Sequence, residues 1–264
     1  MKHLNKLSLI VLVAVALLFN KTATAAQIEV KDSITGTVNW VASNTYLLKG
    51  YVYVVSGATL NIQAGTIIKG DKATKGSLIV ERGGKINAIG SPSKPIVFTS
   101  NQPKGSRNYG DWGGIIICGN APTNWQAAKD ANGNTLPAGI AQVEGGPRSL
   151  YGGNDPNDNS GTLAFVRIEF SGIAFSPNNE VNALTLAGVG KGTTIHHVQA
   201  SYGGDDAFEF FGGNVDAKYL IAHRGWDDDF DFDCGYSGKL QFVVGVRDPF
   251  SADVSGSKGV EADS

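Results

Sequence analysis

Cysteine is the first scarcity: only Cys118 and Cys234 occur in 264 residues. Two cysteines so far apart make no disulfide framework, and spacing alone leaves open whether they pair or sit as small core residues. Charge is thin too, at 17% of residues, with a formal net charge of −2 and no run of Lys or Arg. A mildly acidic chain without a basic patch offers no electrostatic footprint for nucleic acid and no attraction to anionic lipid. From Ile28 to Ser100 there is no amphipathic helical pattern. P-loop, dinucleotide and Ser-His-Asp signatures are missing, and His196, His197 and His223 lack a zinc-ligand spacing.

The single long apolar run lies at the start. Lys2 and Lys6 precede an apolar stretch from Leu7 to Leu18, and Ala23-Thr24-Ala25 fits the small-residue cleavage rule, so residues 1–25 read as a signal peptide. The run is too short to span a ~30 Å hydrocarbon core comfortably, and no Cys follows it for lipid attachment. Cleavage leaves 239 residues and, with three lysines and no acid removed, a formal net charge of −5. The expectation is one exported all-β domain over 26–264, with no transmembrane segment.

What the chain does have is repetition. Thr45 to Val55, Thr59 to Lys69, Ser77 to Glu81, Lys85 to Ile89 and Pro95 to Thr99 read as short strands punctuated by Gly, Asn and Ser. Gly57-Ala58-Thr59-Leu60-Asn61-Ile62 matches Gly83-Gly84-Lys85-Ile86-Asn87-Ala88 at an offset of 26, which sets Leu60 over Ile86 and Asn61 over Asn87. Val166 to Gly172 matches Val198 to Gly204 at 32, and Ala183 to Gly188 matches Ala207 to Gly212 at 24. Recurrence at 20–32 residues, with about three short strands per repeat, predicts a right-handed parallel β-helix, a solenoid. Residues 101–160 break the rhythm and read as a loop-rich insertion. The last repeat, Val260-Glu261-Ala262-Asp263, aligns with Phe230 to Asp233 at 30 and stops without a visible cap, so a solenoid truncated at its C-terminus is expected.

The chemistry concentrates in one repeat. Gly203-Gly204-Asp205-Asp206-Ala207-Phe208-Glu209-Phe210-Phe211 and Gly225-Trp226-Asp227-Asp228-Asp229-Phe230-Asp231-Phe232-Asp233 correspond at an offset of 22. Strand alternation puts Phe208 and Phe210 over Phe230 and Phe232 inside, and Glu209, Asp231 and Glu261 in an outer carboxylate column. Charges ~4.8 Å apart repel by about 3 kcal/mol at an effective dielectric near 20. Such a column needs a counter-charge: Ca²⁺, suited to many oxygen ligands, or Lys218, Arg224 or Lys239, unless water solvates it. The candidate metal ligands are Asp205, Asp206, Glu209, Asp227, Asp228, Asp229, Asp231 and Asp233. Trp112 and Trp125 in the insertion, with Trp226 in the repeat, are candidates for contact with a glycan.

Several stretches carry a resemblance: Gly110-Asp111-Trp112-Gly113-Gly114-Ile115, Val166 to Gly172, Tyr202 to Gly213, Trp226 to Asp231, Gly235 to Lys239 and Arg247-Asp248-Pro249. Together they resemble a family of exported right-handed β-helix surface proteins of Gram-negative bacteria, which includes leptospiral-type outer-membrane lipoproteins. The resemblance implies a fold and a location at the cell surface or outer membrane, and it implies no particular activity. Two functional readings follow. The favoured one is a non-catalytic exported β-helix, Ca²⁺-stabilised, presenting loops to glycan or protein. The alternative is a Ca²⁺-dependent polysaccharide lyase or other carbohydrate-active enzyme. Arg224 or Arg247 would be the lyase base, and Asp206 with Asp228 the carboxylate pair of a hydrolase.

Overall fold

Strands of four or five residues, each closed by a turn, cannot bury a face alone and must stack on the next repeat. The computed structural model describes residues 26–176 and 179–263, so the signal-peptide segment lies outside the described residues. The strands of its 17-stranded sheet pair in parallel and sort into three stacks. The first sheet carries Thr37–Trp40, Thr59–Ile62, Lys85–Ile89, then 161–164 and the segments starting at 195, 217 and 240. The second carries 26–30, 44–48, Ile67–Gly70, Ile96–Ser100, 166–169, 198–201, 220–223 and 243–246. The third carries 32–34, 51–54, Ser77–Val80, Ile115–Cys118, Leu184–Ala187, Phe208–Phe211, Phe230–Asp233 and Glu261–Ala262. The chain visits the sheets in turn and closes one coil each time: an all-β, right-handed parallel β-helix.

The registers are those of the sequence offsets. Leu60 pairs with Ile86, Val166 with Val198, Leu184 with Phe208, Glu209 with Asp231 and Asp231 with Glu261. Inside, Phe208 stacks on Phe230 at 5.4 Å, and Phe210 lies tilted against Phe232 at 5.3 Å. On the first sheet Asn39, Asn61 and Asn87 form an amide ladder with N–O distances of 2.9 Å.

Two features turn the chain, the first inside a stretch the sequence reads as one strand. Thr59 to Lys69 is two strands, broken at 63–66, where Thr66 Oγ1 donates to the Gln63 carbonyl at 2.6 Å. From the 161–169 coil onward, the first and second sheets meet at one residue per coil in the left-handed region: Phe165 (φ 52°), His197 (φ 52°), Tyr219 (φ 57°) and Phe242 (φ 59°). Each costs of order 1 kcal/mol in backbone strain. Their rings stack outside at 4.4, 4.4 and 5.0 Å, which recovers part of it.

The insertion is not one excursion over 101–160. Ile115–Cys118 inside it is a third-sheet strand, in register with Leu78 to Val80 and with Leu184–Ala187. The excursions are 101–114 and 119–160. The second folds back over the outer face of the third sheet, where Ile79, Ile116, Cys118, Val143, Tyr151 and Ala187 form a second apolar cluster. Cys118 and Cys234 are both buried and free. Cys118 shares a register column with Ala187, Phe211 and Asp233, so about three rungs of ~4.8 Å separate the two sulfurs. That is beyond disulfide reach.

Candidate functional site

The acids lie where the second sheet turns into the third and along the first residues of the third. At this corner no strict alternation applies, so each side chain is aimed by its own backbone contacts. Asp206 Oδ1 accepts from the Asp228 amide at 2.9 Å, clipping one coil to the next. In the strand that follows, Glu209 lies in register with Thr185 on one side and Asp231 on the other.

Two triads result. Carboxylate oxygens of Asp205, Asp206 and Asp227 lie within 4.8 Å of one another, and so do those of Asp206, Glu209 and Asp231. Asp206 belongs to both. Above them opens a cleft of about 470 Å³, lined among others by Glu144, Glu180, Asp205, Trp226, Asp227 and Asp253. Glu144 comes from the long excursion and Glu180 from the short strand Asn179–Glu180, which pairs antiparallel with Ala174–Ser176. Asp253 comes from the loop before the last strand. None of these three carries a repeat signature, and the sequence reading missed them. Only the folding-back of the loops reveals them.

The cluster is charged against its own surroundings. Glu209 and Asp206 are buried, and Asp205, Asp227 and Asp231 half-buried. Among the described residues none of the five forms a salt bridge. Burial first, then the neighbouring carboxylates, pushes Asp206 up to about 9 and Asp205 to about 8. Glu209 rises well above the carboxylate range for the same reasons, with Asp206 and Asp231 its nearest repellers. Asp231 rises to about 6, by burial and then the charge of Glu261. Asn182 Nδ2 donates to Glu209 Oε2, whereas Asp231 Oδ1 is buried with no hydrogen-bond partner.

The remaining candidate ligands go elsewhere. Asp228 is buried and accepts from the Lys258 amide; burial lifts it to about 7. Asp229 is taken by Arg247, 3.2 Å away. Asp233 accepts from the next amide, that of Cys234. The column Glu209–Asp231–Glu261 holds in register but is not an open outer row. Glu209 is buried beside Asn182, and Glu261 is neutralised by Lys258 at 2.7 Å. Lys218, Arg224 and Lys239 make no ion pair with the cluster. Arg224 sits 3.7 Å from Asp248, and Arg247 spends Nη1 on the Asp227 and Lys258 carbonyls as well as on Asp229.

The three tryptophans separate. Trp112 is 0% exposed, stacks on Phe98 and donates Nε1 to the Glu169 carbonyl at 2.8 Å, so it is core and cannot meet a glycan. Trp125 is 38% exposed and holds the Tyr151 hydroxyl at 2.9 Å. Trp226 is 37% exposed, lies edge-on to Tyr109 and lines the acidic cleft. It is the one of the three positioned at the site.

With its five oxygen-bearing side chains, its orphaned Asp231 oxygen and its lack of soft ligands, the site fits a hard divalent cation. Among the described residues no Arg, Lys or His lines the cleft. Residues 32–264 match the family described as a pectate-lyase-like beta helix domain. No curated protein and no solved structure matches the chain.

Proposed function

The chain belongs to the pectate-lyase-like β-helix domain family, and from that premise we propose a non-catalytic, exported surface protein whose acidic cleft holds Ca²⁺. One observation carries this reading: Asp205, Asp206, Glu209, Asp227 and Asp231 converge from two coils with no cationic side chain among them. Pairwise repulsion of about 3 kcal/mol at these separations makes the fully ionised, empty cluster costly. Ca²⁺ takes six to eight oxygens from carboxylates, carbonyls and water, and would tie the 208–211 coil to the 230–233 coil. Asp205 and Asp227 line the cleft, and Asp206, common to both triads, links them to Glu209 and Asp231. Export rests on the signal-peptide pattern of residues 1–25, and placement at the cell surface or outer membrane on the resemblance to Gram-negative surface β-helices. No helix among the described residues is long and apolar enough to cross a membrane. The loops around the cleft, with Trp226 and the bound ion, are the surface offered to glycan or protein.

Calorimetric titration of the chelator-treated protein with Ca²⁺ tests this. Saturable binding, lost in Glu209→Gln with Asp206→Asn, supports the proposal. Equal heats for the wild type and the double variant would end it.

The family match favours a second reading, a Ca²⁺-dependent polysaccharide lyase or related carbohydrate-active enzyme. Against it, both candidate bases are engaged: Arg247 on two carbonyls and Asp229, Arg224 beside Asp248. Asp206 and Asp228, the hydrolase pair, each accept from a backbone amide. Incubation with acidic polysaccharides, following the absorbance of unsaturated product, separates the readings. Turnover abolished by Arg224→Ala or Arg247→Ala would replace the first with the second.

A further inference from the structure

The loop 247–260 joins Leu240–Val246 to Glu261–Ala262 and walls one side of the acidic cleft. Its Asp253, Val254 and Ser255 line that cleft together with Glu180, Asp205 and Asp227. Both ends of the loop are pinned to the preceding coil. Arg247 Nη1 donates to the Asp227 and Lys258 carbonyls at 2.8 and 2.9 Å, and the Asp229 amide donates to the Lys258 carbonyl at 3.1 Å. Nearer the middle the hold passes to two hydroxyls. Ser257 Oγ donates to the Trp226 carbonyl at 2.9 Å, and Ser255 Oγ donates to Asp227 Oδ2 at 3.0 Å.

The tip of the loop buries no large apolar side chain: Phe250 is 95% exposed and Val254 103%. A segment with few buried apolar contacts opens at a free energy well below that of the whole fold. A modest change of charge beneath it is enough to move its open and closed populations.

Charge decides the direction. Asp248, the other acid of the loop, is drawn off to Arg224 at 3.7 Å. Asp253 is the acid the loop brings to the cleft, and the Ser255 amide, donating to its Oδ2 at 2.8 Å, holds its carboxyl below the ordinary range. An ionised Asp253 thus shares the cleft with Glu180, Asp205 and Asp227. Like charges push the loop outward against its two serine hydroxyls. A divalent cation reverses that sign. Ca²⁺ collects six to eight oxygens, and Asp253 stands on a segment loose enough to approach it.

On the cation reading of the cleft, on which this rests, we infer that the loop 247–260 is an ion-coupled lid. A cation in the cleft draws Asp253 inward as a further ligand, from outside the two acidic coils, and closes the loop over itself.

Hydrogen–deuterium exchange of the whole protein, in chelator and in saturating Ca²⁺, reads the lid directly, with calorimetric titration beside it. Amides of 250–256 are expected to exchange about tenfold more slowly with Ca²⁺, while those of Asn44–Val54, in a distant coil, keep their rate. Asp253→Asn keeps an acceptor for the Ser255 amide and loses only the charge. It should still bind Ca²⁺, several-fold more weakly, and lose the slowing. Ser255→Ala should speed loop exchange in chelator yet retain the slowing by Ca²⁺. Saturable Ca²⁺ binding with loop exchange unchanged or faster, or with equal slowing in Asp253→Asn, overturns the lid and leaves the cation site standing. No saturable Ca²⁺ binding overturns the cation site itself, and the lid with it.

Discussion

Arg247 shows how much one side chain can organise. It bonds two carbonyls on neighbouring segments and faces Asp229, which is almost wholly buried. Removing one partner of such a pair leaves an uncompensated buried charge. Arg247→Met is expected to destabilise by about 3 kcal/mol, and adding Asp229→Asn should return a good part of it. Chemical denaturation of the single and double variants measures both values. Strict additivity would mean that the pair is not coupled. The tryptophans make the same contrast without charge. Trp112→Ala opens a core cavity and should cost about 3–5 kcal/mol, whereas Trp226→Ala, at the cleft rim, should change stability by under about 1 kcal/mol. Trp112 is packed so closely that a Cβ on Gly70 would sit 2.3 Å from its own Cβ.

At the scale of elements, the solenoid's register was legible in the sequence because stacking demands like over like. Leu60 over Ile86, Phe208 over Phe230 and Asp231 over Glu261 are each read from an offset, and each is a pair in the sheets. The amide ladder follows from the same logic and extends one coil further, to Asn39. What alternation could not give was the aim of Asp228 and Asp229. They lie in the bend before the strand, where backbone amides and Arg247 decide their direction. Trp112 was illegible for a related reason: a ring in a Gly-rich stretch looks exposed until the chain folds it against Phe98. Glu144, Glu180 and Asp253 come from three separate loops, and nothing local marks them as neighbours. The two cysteines needed the rung count. With about three rungs between them and both thiols pushed up by burial, Cys234 to about 12, neither should react readily with a thiol reagent in the native state, and a reductant should leave the melting temperature unmoved. A melting temperature lowered by reductant would contradict that placement.

For the whole molecule, the acidic cluster makes stability depend on pH in a direction opposite to that of most acid-sensitive proteins. Burial and mutual repulsion raise the folded-state values of Asp206 (about 9), Asp205 (about 8), Asp228 (about 7) and Asp231 (about 6). In the unfolded chain each titrates near the ordinary value of about 4. Between these limits the folded state binds more protons than the unfolded one, so stability falls as pH rises. The contribution is fully present below about pH 4 and is lost progressively through about pH 9. In chelator, the melting temperature at pH 8.5 is therefore expected to lie at least about 5 °C below that at pH 5.5, the size of shift that one to two kcal/mol produces in a domain of this length. Ca²⁺ binds the ionised form, so adding it should raise the melting temperature at pH 8.5 and do little at pH 5.5, where protons already neutralise the cluster. Glu209→Gln should flatten the pH dependence and weaken the Ca²⁺ response together, because one carboxylate serves both. Thermal scans at the two pH values, with and without Ca²⁺, on both proteins decide the matter. If the wild type melts higher at pH 8.5 than at pH 5.5 in chelator, the buried acids are compensated by something other than protons, and the electrostatic account of the coil junction fails.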